Sequence, residues 1–569
     1  MPATDQQGIH PNPEGIQVCR LPWLKVLCGY GLLSIVVTWP LVRHLDTHVP
    51  LGDEHVATVP LLNVWTVWWN ADRASNLWQN YWDAPIFAPE RSTFLLSEAQ
   101  PVTAIVGPMA AKPGTVCFAY NLYLLKALTL NGFSGWLLFS WTTQSRLAGF
   151  FGGTVMVLLP FVHWQLGVLQ LVPVFPSLLV IYSLCRFSDG LRWRWAMLLG
   201  SSLAWTYASC NYYGLFLSLL LPLSALPLLW RRLHRRSMWV GAGSGLLVFI
   251  FICWPIINRQ LIMSRDRQRQ RTTETIWNLS AAATDYVRPA HTSGPAGFPL
   301  SPGISVLALA VGGSAHLLAR QSSRRFALMF ILMAGAAFLF SLGPRWHILS
   351  RIPYMYLVEF VPGVSQIRSP YRAAVLVQIA ATGLMCFSVE RLQRLSRTGR
   401  PRQSVLATGA LLISGLIVIW EIYPRGCPLT QLPAAPESSD WPLWISTHTP
   451  EESILLPFPL PAGKTVDDYE PTAVQMYYSM WHRRRLATGY SGFFPQPFRE
   501  VSATFQESAQ LSPLEIRDRL IAHQIDFCVV PESSVWQNRL RQAAGISEVY
   551  RDHRHRVVVF QVMTPSEKL

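Results

Sequence analysis

Apolar positions along this chain gather into long runs rather than short alternations. Runs long enough to span fall at 22–42, 117–142, 147–163, 165–186, 194–209, 213–230, 238–257, 302–319, 326–342, 371–390 and 405–422. A helix needs roughly 20 apolar residues to cross the hydrocarbon core of a bilayer, so the pattern predicts about eleven transmembrane helices. The stretch 101–116, PVTAIVGPMAAKPGTV, is broken by Pro and Gly and reads as interfacial or re-entrant. Beyond residue 423 the pattern changes. ESILLPFPL, IDFCVVPE and RVVVFQVM read as strands, and PTAVQMYYSMWH and SPLEIRDRLIAH as helices, the second with Ser512 as N-cap and Glu515 three residues on. The expected fold is an α-helical polytopic membrane protein with a C-terminal extracytoplasmic α/β domain. Its divisions are a cytoplasmic tail (1–21), a transmembrane domain (22–423) carrying an outer loop at 43–116, and the α/β domain (424–569).

Composition agrees. Charged residues make up 14% of the 569 residues, against roughly 25% in a soluble protein. The net charge of +15 does not imply nucleic acid, because the basic residues are not gathered on one soluble domain. They lie between the apolar runs. With the N-terminus in the cytoplasm, five basic short loops all fall inside: Arg146; Arg186, Arg192 and Arg194; 231–236; Arg320, Arg324 and Arg325; and 391–402. That is the positive-inside distribution. The loop 43–116, the loops 257–301 and 343–370, and the tail then lie outside, in what is expected to be a bacterial inner membrane. The cysteines have no CxxC spacing and read as small apolar packing residues.

Candidate chemistry sits on that outer side. PLGDEHVATVPLLNVWTVWWN (50–70) places Asp53 and Glu54 just after the first apolar run, followed by Trp65, Trp68 and Trp69 on one helical face. Tryptophan favours the headgroup region, so 60–79 is expected to lie on the outer leaflet. A carboxylate at that level can activate an acceptor hydroxyl or hold a divalent cation. IRSPYRA places Arg368 and Arg372 four apart, with Pro370 starting a helix and Arg372 in its first turn, an arrangement suited to an anion. Arg265, Arg267, Arg269 and Arg271 read as a solvated segment, with lipid-phosphate binding as the alternative. His163, Tyr212 and Tyr213 stand at outer helix ends as cavity-lining candidates. In TGYSGFFP, Gly489 and Gly492 permit a tight turn that presents Tyr490 and Ser491 to the membrane domain.

A first membrane helix, an outer loop opening on Asp-Glu and an amphipathic helix together resemble the GT-C superfamily of integral membrane glycosyltransferases. Protein O-mannosyltransferases and the aminoarabinose transferase of lipid A belong to it. SEAQP (97–101), AYNLY (119–123), IRSPYRA (367–373) and TGYSGFFP (488–495) fit a largely uncharacterised bacterial branch of that type. The resemblance implies a sugar donor on a polyprenyl phosphate or diphosphate and inverting transfer outside the cell membrane to a glycan, lipid or protein acceptor. It makes Asp53 the general base, Glu54 its paired acid, and Glu98 the candidate second outer acid, with metal dependence left open. The alternative class is a transporter or flippase of lipid-linked saccharides, which needs no base. Transporters commonly carry internal repeats, and this sequence shows none.

Overall fold

The structure is a computed structural model that describes residues 23–264, 271–288, 297–318, 324–348, 351–506 and 511–563. Each of the eleven apolar runs carries a helix: Trp23–Val37, Val116–Thr143, Arg146–Val157, Phe175–Gly190, Trp193–Ser209, Asn211–Leu229, Arg236–Ser264, Ile304–Leu318, Arg324–Ser341, Ala374–Thr398 and Pro401–Ile422. Among the described residues, eight helical segments are long and apolar enough to cross a membrane. The helices Trp23–Val37, Trp193–Ser209 and Ile304–Leu318 have 15, 17 and 15 described residues. Lys126 lies ten residues into Val116–Thr143, with its side chain exposed on the helix surface.

The basic loops share one end of the bundle. Arg325 pairs with Asp189 at 2.6 Å, and Ser145 Oγ donates to Gln393 Oε1 at 2.6 Å. The other end carries the loop 43–116 and the tail, stitched together. Strand β1 (His48–Pro50) pairs antiparallel with β2 (Leu429–Gln431). Ala57 N donates to Glu470 Oε1 at 3.0 Å, and Arg483 meets Asp72 at 3.0 Å.

The tail holds β3 (Ile454–Pro457), β4 (Arg485–Leu486), β5 (Phe527–Pro531), β6 (Ile546–Asp552) and β7 (Val557–Val562) in one sheet of order β4-β3-β5-β7-β6. Pairing is parallel on either side of β3 and antiparallel around β7. Alternation along the strands divides the two faces. Leu455, Phe527, Val529, Val557 and Val559 join the core shared with the membrane bundle. Leu456, Cys528, Val530, Val558 and Phe560 form a separate core with Ile516, Leu520 and Trp536 of the tail's own helices. The reciprocal cap read from the sequence is present: Glu515 N donates to Ser512 Oγ, and Ser512 N to Glu515 Oε2.

One expectation is overturned. The helix bearing the tryptophans, Thr58–Ser75, does not lie on the leaflet. Trp65, Trp68 and Trp69 are 1%, 1% and 5% exposed. Trp65 and Trp69 stack with 2° between their planes, and both meet Phe94 edge-on. Trp65 Nε1 donates to Ser479 Oγ at 3.1 Å, on the tail helix Glu470–His482. The same apolar face that would suit headgroups buries more area against a protein partner, and that partner arrives some 400 residues later in the chain.

Candidate active site

Two glycines set the loop that carries Asp53 and Glu54. Gly52 has φ +61°, and a Cβ there would lie 2.6 Å from Leu166 N. A Cβ on Gly167 would lie 2.1 Å from Leu51 O. Without side chains the two backbones touch, and Asp53 N donates to Trp164 O at 2.9 Å. This contact holds Glu54 on the wall of a cavity of about 380 Å³.

The cavity gathers charge from four distant parts of the chain. Glu54, Glu98, Arg271, Arg368 and Arg372 all line it. Arg372 sits in the turn Pro370–Ala373 that opens the helix Ala374–Thr398, and its guanidinium lies 4.6 Å from the centre of the Tyr212 ring. Glu98 is met by the first turn of Asn211–Leu229: Tyr212 N donates to Glu98 Oε1 at 3.4 Å. A helix N-terminus favours a carboxylate there. Behind it, Gln100 Nε2 donates to Asn63 Oδ1 at 2.9 Å and to Gln170 Oε1, and Gln170 also lines the cavity. The lining also includes the apolar side chains of Leu215, Phe249, Ile257 and Met263.

The environment shifts the ionisable groups. Burial raises Glu54 above its ordinary value, and Arg372 and Arg368 pull it back. Burial also raises Glu98, opposed by Arg372 and the Tyr212 N–H. Arg271 is brought down to about 10 by burial and by the nearby Arg368, and it stays cationic at neutral pH. Four buried polar atoms of the lining, Glu98 Oε2, Arg271 Nε, Arg372 Nε and Ser491 Oγ, have no hydrogen-bond partner among the described residues. Buried polar groups are normally paired, so such a concentration marks a place built for a ligand.

The candidates therefore separate. Glu54, Glu98, Arg368, Arg372 and Tyr212 come together. Asp53, His163 and Tyr213 are not on the lining. His163 Nε2 lies 2.9 Å from Val157 O, and Tyr213 donates its hydroxyl to Leu171 O at 2.9 Å, so both are tied to nearby backbone. Arg271 is not the solvated residue its segment suggested. Its Nη2 donates to Gly492 O, and its guanidinium lies over the Phe493 ring. Arg265, Arg267 and Arg269 lie outside the described residues. Gln170 escaped sequence reasoning, because an amide in an apolar run carries no pattern.

Three ligating groups converge elsewhere, at Asp440, Asp552 and His555 in the tail. Their oxygens already accept from Glu437 N, Trp441 N and Arg554, so the cluster reads as a structural clasp.

No protein-family model and no curated protein matches this chain. Solved structures do. Over 95% of this chain and 40% of the other, it is similar to the arabinofuranosyltransferase AftD from Mycobacteria, at 14% identity and TM-score 0.56. Over 90% and 69% it is similar to the archaeal oligosaccharyltransferase AglB from Archaeoglobus fulgidus, in complex with an inhibitory peptide and a dolichol-phosphate, at 12% identity and TM-score 0.50. The chain spans about two-fifths of the length of AftD. The chain shares the fold of the matched regions of these two structures.

Proposed function

We propose that this chain is a membrane glycosyltransferase that moves a sugar from a polyprenyl-phosphate-linked donor to a cell-envelope acceptor on the extracytoplasmic side. The observation that carries the reading is one cavity, at the end of the bundle away from the basic loops, in which Glu54 and Glu98 share a wall with Arg271, Arg368 and Arg372. The AglB structure, whose fold this chain shares, holds a dolichol-phosphate.

The chemistry follows from the charges. The three guanidiniums hold the donor phosphate, and the apolar part of the lining takes the first units of the prenyl chain. Of the two adjacent carboxylates, Glu54 is the one on the cavity wall, so the base role passes to it, with Asp53 held one residue back by its backbone bond to Trp164. Glu54 takes the proton of an acceptor hydroxyl as that oxygen attacks the anomeric carbon from the face opposite the phosphate. The bond from sugar to phosphate breaks with inversion, and the arginines stabilise the charge that grows on the leaving phosphate. Glu98, next to Arg372, fixes the cation that faces this charge.

The test is sugar transfer in membranes expressing the chain, using a panel of radiolabelled polyprenyl-phosphate sugars and native envelope acceptor. Product from one donor, lost in Glu54→Gln at equal protein level, supports the reading. Labelled donor crossing the bilayer equally in both, with no transfer, sinks it in favour of transport.

A further inference from the structure

The cavity is not complete within the membrane bundle. Its roof is the tail segment 488–493, TGYSGF, of which Tyr490, Ser491, Gly492 and Phe493 line the space. Backbone bonds hold both ends of this segment to the first outer loop: Phe87 N donates to Thr488 O at 3.1 Å, and Phe493 N to Leu96 O at 3.1 Å. One residue before its end, Arg271 Nη2 donates to Gly492 O at 2.6 Å. Gly492 is required by the closeness of the approach, since a Cβ there would lie 2.9 Å from Leu96 O.

A segment pinned at three points holds its side chains in fixed directions. Ser491 is 6% exposed, lines the cavity, and has no hydrogen-bond partner for Oγ among the described residues. Tyr490 beside it lines the same cavity as Arg368 and Glu54. A hydroxyl that is both donor and acceptor, lining the same cavity as the charged groups but carrying no charge itself, suits a neutral polyhydroxylated ligand better than a phosphate.

We infer that Ser491, supplied by the C-terminal domain, determines sugar specificity by hydrogen-bonding one hydroxyl of the sugar ring that reacts in this cavity. This rests on the glycosyltransferase reading above. The ring belongs either to the donor or to the acceptor, and the same chemistry serves both. Selection by such a contact is strong because a ligand lacking the hydroxyl leaves Ser491 buried and unpaired.

The experiment is a cycle across protein and ligand. Full-length wild type and Ser491→Ala are assayed in membranes with the donor that wild type uses, with monodeoxy versions of its sugar, and with monodeoxy versions of the acceptor. Melting of the purified variant at the wild-type temperature establishes that it folds. Ser491→Ala is expected to lower kcat/KM for the parent pair about 10-fold, the net effect of one hydrogen bond. One deoxy compound, penalised with wild type, should show no penalty with the variant. Whether that compound is a donor or an acceptor tells which ring Ser491 holds. Equal rates for the two proteins, or every deoxy penalty unchanged in the variant, overturns the inference and leaves the glycosyltransferase reading standing. A wild type that transfers from no donor removes both.

Discussion

Arg271 and Gly492, 221 positions apart, are joined by a 2.6 Å hydrogen bond from the Arg271 guanidinium to the Gly492 carbonyl, and that guanidinium also lies 3.7 Å from the centre of the Phe493 ring. One side chain on the cavity lining thus ties the segment after the helix Arg236–Ser264 to the tail roof. Lysine keeps the charge but loses the planar fork that makes both contacts. Arg271→Lys is expected to lower kcat/KM about 10-fold and to speed proteolysis of the tail in solubilised protein. An unchanged cleavage rate would show that the roof is held by its backbone bonds alone.

The two adjacent acids separate by position. Removing a general base costs about 10² to 10⁴ in rate. Glu54→Gln is expected to lose at least about 100-fold in transfer rate, and Asp53→Asn less than about 10-fold. Single-turnover transfer at saturating donor measures both; the reverse order would return the base role to Asp53.

The acid limb of the rate profile carries the same assignment. A base must be ionised to act, and burial raises Glu54 above its ordinary 4.5 although Arg372 and Arg368 oppose it. Activity should therefore rise with pH through an apparent pKa above 4.5, be full above it, and fall as the pH drops through it. A limb at or below 4.5 would place the base at an unburied carboxylate instead.

Phosphate binding should be divisible from chemistry. A hydrogen bond to a charged group contributes about 1.5 to 3 kcal/mol, so Arg368→Ala is expected to raise KM for the donor roughly 10- to 100-fold. Arg372→Ala should cost more, because it also leaves Glu98 buried without its nearby cation. Titration of donor at fixed acceptor reads both.

Gly52 is the conformational key to the Asp53–Glu54 loop. At φ +61° an alanine costs about 1 to 2 kcal/mol for the left-handed backbone alone, and its Cβ would also meet Leu166 N. Gly52→Ala is expected to lower the melting temperature in detergent and to cut transfer further than the stability loss explains, since the loop must shift away from Trp164 and carries Glu54 with it.

Much of this was legible in the chain. Apolar runs locate all eight segments long and apolar enough to cross a membrane among the described residues, because within hydrocarbon a backbone must satisfy its own hydrogen bonds and local sequence therefore decides. Short continuous apolar runs expose β3, β5 and β7, and Ser512 with Glu515 marks its helix start. Pro370 placed Arg372 in an opening turn, as the structure has it. The strands β4 and β6 and the ribbon β1–β2 were not legible, being short or polar and defined by a partner far away.

The sequence by itself determined the long helices, the apolar strands of the tail, and a short roster of charged residues among which the site lies. Tertiary structure decided which of them meet. Glu54 rather than Asp53 reaches the cavity because Gly52 and Gly167 let two backbones touch. The tryptophans are core rather than interface because a tail helix covers them. Arg271 and Ser491 join the site because the tail folds back over the bundle. Local pattern follows from hydrogen bonding and burial within one element, whereas a cavity is made by contacts between elements whose separation along the chain leaves no periodic trace.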